Sequence, residues 1–324
     1  MPPVSADLHV VFGAGQVGFP LAARLRAAGK RVRIAKRSSG DLPAGCEVAL
    51  GDAADPAFCD EAARGAAVVY HCMNPPYDAR IWADLIPRYM GNLIDASART
   101  GARLVVLDNV YMLGRPRGLP LNEDTPVNPT SRKGEIRARA AERLFDAHRK
   151  GDVVAAAGRA SDFYGPRGTQ TALGDFFWPR ALAGKTIYSP FSLDAVHTYH
   201  YIPDVASGLA TLGCADVDAY GRPWMLPCVP AGTLREIVGR IAMKLGREIR
   251  LGQLPRRLLR VMALFMPLFR EIDEMLYQWE EPFVIDDRQF RERFHVVPTD
   301  VDRAAADTLE WATRHYGRGT SRTT

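Results

Sequence analysis

Apolar residues run along this chain in short blocks of four to six, separated by stretches where they recur at helical spacing. The first block, Leu8-His9-Val10-Val11-Phe12, breaks into Gly13-Ala14-Gly15-Gln16-Val17-Gly18. It continues through Leu21 to Ala28 as a helical stretch that stops at Gly29. A second β-like run, Arg31 to Ala35, follows at once, and later runs over 66–74 and 104–113 read as further strands. Glu135 to Arg149 reads as helix, and Gly221 to Gly246 as a strand and then a helix ending in Gly. Strands alternating with helices predict an α/β fold with a parallel sheet. The most apolar stretch, Leu254 to Phe269, carries Arg256-Arg257 ahead of Val261 to Met266 and is broken by Pro267. It is too short to span a bilayer, so no transmembrane segment is expected. A lid over an apolar substrate is the first reading of it, a membrane-surface or dimer contact the second, and a plain core helix the third.

Composition narrows the partners. At 324 residues and 47% hydrophobic content the chain can bury a sizeable core and suits one two-lobed α/β unit. A net charge of +5 would admit nucleic acid, but Lys and Arg are spread along the chain and form no run interleaved with aromatics. The basicity reads as solvated surface plus a site for an anionic cofactor, with no nucleic-acid partner. Five cysteines without a CxxC pair read as reduced thiols of a cytoplasmic protein. The N-terminus shows no basic-then-apolar signal pattern, and the small polar residues 317–324 read as a loose tail.

The Gly13-x-Gly15-x-x-Gly18 turn between a strand and a helix is the first chemical signal. Gly13 takes a conformation closed to other residues, Gly15 lets the backbone approach a pyrophosphate, and Gly18 lets helix pack on strand. With Gln16 and Val17 they form the start of a helix whose free N–H groups suit phosphates. The second strand ends in Lys36-Arg37-Ser38-Ser39, where an NAD binder usually carries an acidic residue for the ribose hydroxyls. Two cations beside two hydroxyls suit a 2′-phosphate, so NADP is expected over NAD.

Five further segments resemble the extended and atypical short-chain dehydrogenase/reductases, the epimerase/dehydratase-like proteins. Gly51-Asp52-Ala53-Ala54-Asp55 resembles their adenine-side Gly-Asp-x-x-Asp, and Tyr70-His71-Cys72-Met73-Asn74 the end of their fourth strand. Leu104 to Gly114 resembles the fifth strand and Val-Tyr-Gly. Arg159-Ala160-Ser161-Asp162-Phe163-Tyr164-Gly165-Pro166 resembles Arg-x-x-Asn-x-Tyr-Gly-Pro, and Tyr199 to Ala206 resembles Val-x-Asp-Val-Ala. The resemblance implies a Rossmann-type doubly wound sheet over residues 1–165. A smaller C-terminal substrate lobe would occupy 166–324, with some segments returning to the sheet. It also implies a cofactor lying on Gly13, Gly15, Gln16, Val17, Gly18, Lys36, Arg37, Asp52, Ala53, Met73 and Asn74.

The family works with a Tyr four residues before a Lys, and none of the eleven tyrosines here has Lys at that position. By register the Tyr position falls on Lys133, the Lys position on Arg137 and the supporting Ser on Asn109. Lys133 and Arg137 would share one helix face, and a Lys in place of the Tyr resembles the isoflavone-reductase-like and NmrA-like members. Like charge from Arg137 and burial would make Lys133 a proton carrier at neutral pH, with Asn109 orienting the substrate oxygen. Tyr111 is a reserve candidate at a strand end. His197 and His200 lack a ligand partner at matching spacing, so no metal is expected. The reading is an NADP-dependent oxidoreductase acting on a small or medium organic substrate. A silent NADP-binding sensor or scaffold and a sugar-nucleotide epimerase or dehydratase are the alternatives, and a homodimer is left open.

Overall fold

The computed structural model describes residues 8–317, so residues 318–324 of the expected tail lie outside the described residues. A seven-stranded sheet forms its centre. The strands are β1 (Leu8–Phe12), β2 (Arg31–Lys36), β3 (Glu47–Leu50), β4 (Val68–His71), β5 (Arg103–Asp108) and β6 (Ala155–Arg159), with β10 (Pro223–Met225) beyond β6. Their order across the sheet is β10-β6-β5-β4-β1-β2-β3, and every pairing is parallel. This is the doubly wound Rossmann arrangement, whose ligands bind at the carboxyl ends of the strands where the order reverses, here between β1 and β4.

The strands read as unbroken apolar runs because both faces of the sheet are covered. Val10, Phe12, Val69, Leu104 and Val106 point into one core, closed by α2 (Pro56–Ala63), α3 (Ala79–Thr100) and α4 (Arg132–Arg149). Val11, Ile34, Tyr70 and Val105 point into the other, closed by α1 (Gly18–Ala27) and α6 (Ile202–Cys214). Alternation along a strand sends neighbours to opposite faces.

Helix boundaries follow their caps. Helix α3 opens on Asp78, whose side chain accepts from the Arg80 N–H, and ends on left-handed Gly101. Helix α4 begins at Arg132, three residues ahead of the expected Glu135, because the Ser131 hydroxyl accepts from the Gly134 N–H at 3.0 Å. That cap brings Lys133 into the first turn.

The second lobe is small. Strands β7 (Asp162–Tyr164) and β9 (Tyr199–Tyr201) form one parallel pair, β8 (Ile187–Ser189) and β11 (Leu251–Gln253) another. Around them lie α5 (Trp178–Leu182), α7 (Leu234–Leu245) and α11 (Val301–Tyr316), whereas α10 (Arg288–Phe294) packs on β10 of the main sheet, with Phe290 and Phe294 against Trp224. Trp178, Tyr164, Ile241 and Ala304 centre this lobe's core. Residues 254–269 form two short helices, α8 (Arg256–Phe265) and α9 (Pro267–Asp273), separated at Pro267. They bury Leu259 alone, which corrects the core-helix reading of this stretch. Among the described residues no helix is long and apolar enough to cross a membrane.

Candidate functional site

The loop between β1 and α1 shows why three glycines stand there. Gly13 has φ of 97°, and a Cβ on it would meet the Cys72 carbonyl oxygen and Met73 Cγ at 3.0 Å. A Cβ on Gly18 would lie 1.8 Å from the Gly13 carbonyl oxygen. Gly15 differs, since nothing lies within 4 Å of where its Cβ would be. Val17, before the helix, supplies no capping side chain, and the first turn of α1 carries no acidic residue. The Gln16 Oε1 is shut from solvent without a hydrogen-bond partner. An open backbone face and uncapped helical N–H groups fit a dinucleotide pyrophosphate.

At the end of β2, Lys36 is half-buried and Arg37 exposed, and neither forms an ion pair among the described residues. Beyond β3, exposed Asp52 accepts from the Ala54 N–H at 2.9 Å, and buried Ala53 offers its carbonyl to Asn92 Nδ2 at 2.8 Å. Asp52 and Ala53 thus form a tight turn at the same edge of the sheet as Lys36, which pairs with Leu50 in register.

The other half of the site gathers where β4, β5 and α4 converge. Asn74, in the loop after β4, accepts from Arg137 Nη2 at 2.6 Å. Met73 donates its N–H to His71 Nδ1 at 3.2 Å. Asn109, just after β5, accepts from the Tyr111 N–H through its Oδ1 at 3.1 Å, and its amide NH₂ can donate to a substrate. Tyr111 stacks on Trp82 with ring centroids 6.2 Å apart and shares a hydrogen bond with Tyr77. Burial first, and the Asp162 carboxylate second, push its phenol well up, so Tyr111 is a neutral donor and not a phenolate.

Lys133 is fully buried. Burial accords with the sequence reading, but the neighbouring charge does not. Its Nζ pairs with Glu274 Oε2 at 2.7 Å and with Glu271 Oε2, donates to the Glu271 carbonyl at 3.1 Å, and sits 4.7 Å over the Tyr77 ring. Arg137, the expected like-charge neighbour, is held elsewhere by Asn74, by Asp108 at 3.7 Å and by the Trp82 face at 4.9 Å. Asp108 also faces Arg159 Nε at 3.6 Å, making a buried cluster of one carboxylate and two guanidiniums. Desolvation raises Asp108 and lowers both arginines. Asp108 Oδ2 and the Nε atoms of both arginines lack hydrogen-bond partners, so the cluster is incompletely satisfied.

Sequence reasoning missed Glu271 and Glu274, which meet Lys133 across 138 and 141 positions of chain. It also missed the partner of His197. Asp162 Oδ2 lies 2.9 Å from His197 Nε2, and the ring is stacked between Trp279 at 4.8 Å and Phe283 at 5.2 Å. The aspartate in place of the expected Asn of Arg-x-x-Asn was the available signal. Among the described residues no group of three or more His, Cys, Asp and Glu could hold a metal.

Two histidines in this framework make stability depend on pH. Burial lowers His71 to about 3 and His200 to about 4, each held neutral. A depressed histidine contributes its stability fully above the unfolded value near ~6.5 and loses it as pH falls toward the folded value. Stability is therefore expected to fall between pH ~6.5 and ~4 by about 1.4 kcal/mol per pH unit for each ring, read as a falling melting temperature. His71→Gln should shallow that slope; a slope equal to that of wild type would show that His71 does not carry it.

Fold and loop together define a Rossmann protein built to bind a nicotinamide dinucleotide. The family described as NAD dependent epimerase/dehydratase matches residues 9–217, and the chain belongs to it. Comparison with curated proteins gives no match. Among solved structures, a monomeric L-threonine 3-dehydrogenase from a metagenome superposes with a TM-score of 0.78 at 14% identity, covering 95% of this chain and 99% of that one. MoeE5, solved with UDP-glucose and NAD, gives 0.77 at 19% identity, covering 94% and 98%. DesIV, a dTDP-glucose 4,6-dehydratase from Streptomyces venezuelae solved with NAD, gives 0.75 at 17% identity, covering 96% and 98%. These likenesses establish the shared fold, while membership of the family brings a nicotinamide cofactor and a coarse oxidoreductase or epimerase role.

Proposed function

We propose that the chain is an NADP-dependent oxidoreductase acting on a small or medium organic substrate, with Lys133 in the place of the family's tyrosine. The observation that carries the cofactor choice is the end of β2, where Lys36 and Arg37 stand without a carboxylate partner among the described residues. Bound across Gly15, the cofactor would supply hydride donation or acceptance. Lys36 and Arg37 would take its 2′-phosphate, Arg37 through a planar fork. The Gln16, Val17 and Gly18 backbone would face the pyrophosphate, the Asp52-Ala53 turn the adenine side, and Met73 and Asn74 the nicotinamide side.

Lys133 would hold and move the proton. Its Nζ has two carboxylates within ion-pair reach, so a proton given to a substrate oxygen would be replaced from water by way of the part-exposed Glu274 Oε2, 2.7 Å away, which would accept it and pass it on. Arg137 keeps Asn74 in place, and the Asn109 amide would orient the substrate oxygen. Substrate must part Lys133 from Glu271 and Glu274, because the ammonium is otherwise sealed. That sealing favours a second reading, a silent NADP-binding protein that binds cofactor without turnover.

Calorimetric titration with NADPH and NADH at equal salt tests the reading. Wild type is expected to prefer NADPH, and Arg37→Ala to lose about tenfold or more of NADPH affinity with NADH affinity unchanged. Binding of neither cofactor would overturn it. Tight NADPH binding with no oxidation across a panel of aldehydes, ketones and enones would favour the silent reading.

A further inference from the structure

Residues 254–270 carry Arg256, Arg257, Arg260 and Arg270 and no acidic residue. They form α8 and the first four residues of α9, whose last three include Glu271 and Asp273, and Leu259 alone is buried. Leu264 and Phe265 are 78% and 80% exposed, and Leu258, Val261, Met266 and Leu268 range from 41% to 52%. Leu258, Val261 and Phe265 fall at i, i+3 and i+7, one stripe of the helix. Arg257, Arg260 and Leu264 repeat that spacing one residue earlier, so a cationic stripe runs beside the apolar one. Arg256 turns back to Glu280 of the body, which also holds Arg115 at 2.8 Å. Arg257 and Arg260 pair with no carboxylate among the described residues.

We propose that α8 and α9 dock on an anionic lipid surface, with Leu264 and Phe265 entering the interface and Arg257 and Arg260 meeting lipid phosphates. Helices of ten and seven residues cannot span a bilayer, whereas an apolar stripe flanked by arginines lies in its surface plane. Charge argues against a second copy as the occupant, since two such tips would set Arg257 and Arg260 against their own kind. The last turn of α9 also carries Glu271, with Glu274 just after it, and both cover Lys133. Docking therefore places that wall of the candidate site beside the lipid, where an apolar substrate would be found.

Co-sedimentation of the full chain with phosphatidylcholine vesicles, alone or carrying about a third phosphatidylglycerol, tests this. Wild type is expected to sediment with the anionic vesicles only and to be released by ~0.5 M salt. Leu264→Asp with Phe265→Asp should abolish the binding, and Arg257→Glu with Arg260→Glu should weaken it about thirtyfold or more. Unchanged NADPH affinity in both variants would show that the fold and the cofactor site are intact. Failure of wild type to sediment, or equal sedimentation of the Asp variant, would overturn the proposal. So would a lipid-free dimer in the ultracentrifuge that the Asp variant dissolves, which would name a second copy as occupant. Each of these results leaves the cofactor reading standing, because none involves NADPH.

Discussion

A chain carrying Glu271→Gln and Glu274→Gln together is expected to melt about 10 °C below wild type, and adding Lys133→Met is expected to return most of the loss. The double variant leaves an ammonium with no exposed surface and no counter-charge, facing two neutral amides, the Glu271 carbonyl and the Tyr77 ring. Stranding a buried charge in this way costs about 3–5 kcal/mol. Methionine keeps nearly the same volume without the charge, so the triple variant has nothing left to strand. Lys133→Met alone should cost less than the double variant, because Glu271 and Glu274 keep some exposure, 12% and 21%, and remain partly hydrated. Thermal melts of the four proteins make a closed cycle that isolates the coupling. A triple variant no more stable than the double would show that the three groups do not act on one another. Activity gives a separate reading. If Lys133 handles the proton, the triple variant binds NADPH as wild type does and turns over no substrate.

This cluster also shows where sequence reasoning stops. The sheet was legible because its strands are buried on both faces and so appear as bare apolar runs such as Leu104 to Leu107. The loop from Gly13 to Gly18 was legible because three glycines at that spacing, between a strand and a helix, answer to specific steric demands. Lys133 and Arg137 were legible as one helix face. What surrounds them was not, since Glu271 and Glu274 arrive from a segment whose local pattern says only that it is amphipathic. A contact across some 140 positions leaves no trace in local spacing. The expectation that like charge from Arg137 would act on Lys133 did not foresee where the guanidinium is held, for the same reason. Asp108, Asn74 and Trp82 engage the guanidinium, and only the fold brings those three together. The exposed apolar tip shows the converse limit. Period and composition marked residues 254–269 as unusual but could not say whether a core would cover them.

Gly15→Ala and Gly18→Ala are expected to fail in opposite ways, although each adds one methyl group and they lie three positions apart. Gly15 lies outside the left-handed region, and nothing in the protein comes within 4 Å of the added Cβ. The variant should fold and melt as wild type does or slightly higher, because alanine narrows the unfolded ensemble. Its methyl would stand where the backbone must approach a pyrophosphate, so NADPH affinity should fall by roughly 3 kcal/mol, about a hundredfold. Gly18→Ala puts its Cβ 1.8 Å from the Gly13 carbonyl oxygen, a backbone atom that cannot step aside without carrying β1 or α1 with it. That overpacking should cost about 3 kcal/mol of stability or more, and cofactor binding would be lost as a consequence of the broken turn. Melting curves and calorimetric titration of both variants separate a ligand-contact glycine from a structural one. Full-strength NADPH binding by Gly15→Ala would mean that the pyrophosphate does not lie against residue 15, and the assignment of the loop as the cofactor cradle would fall with it.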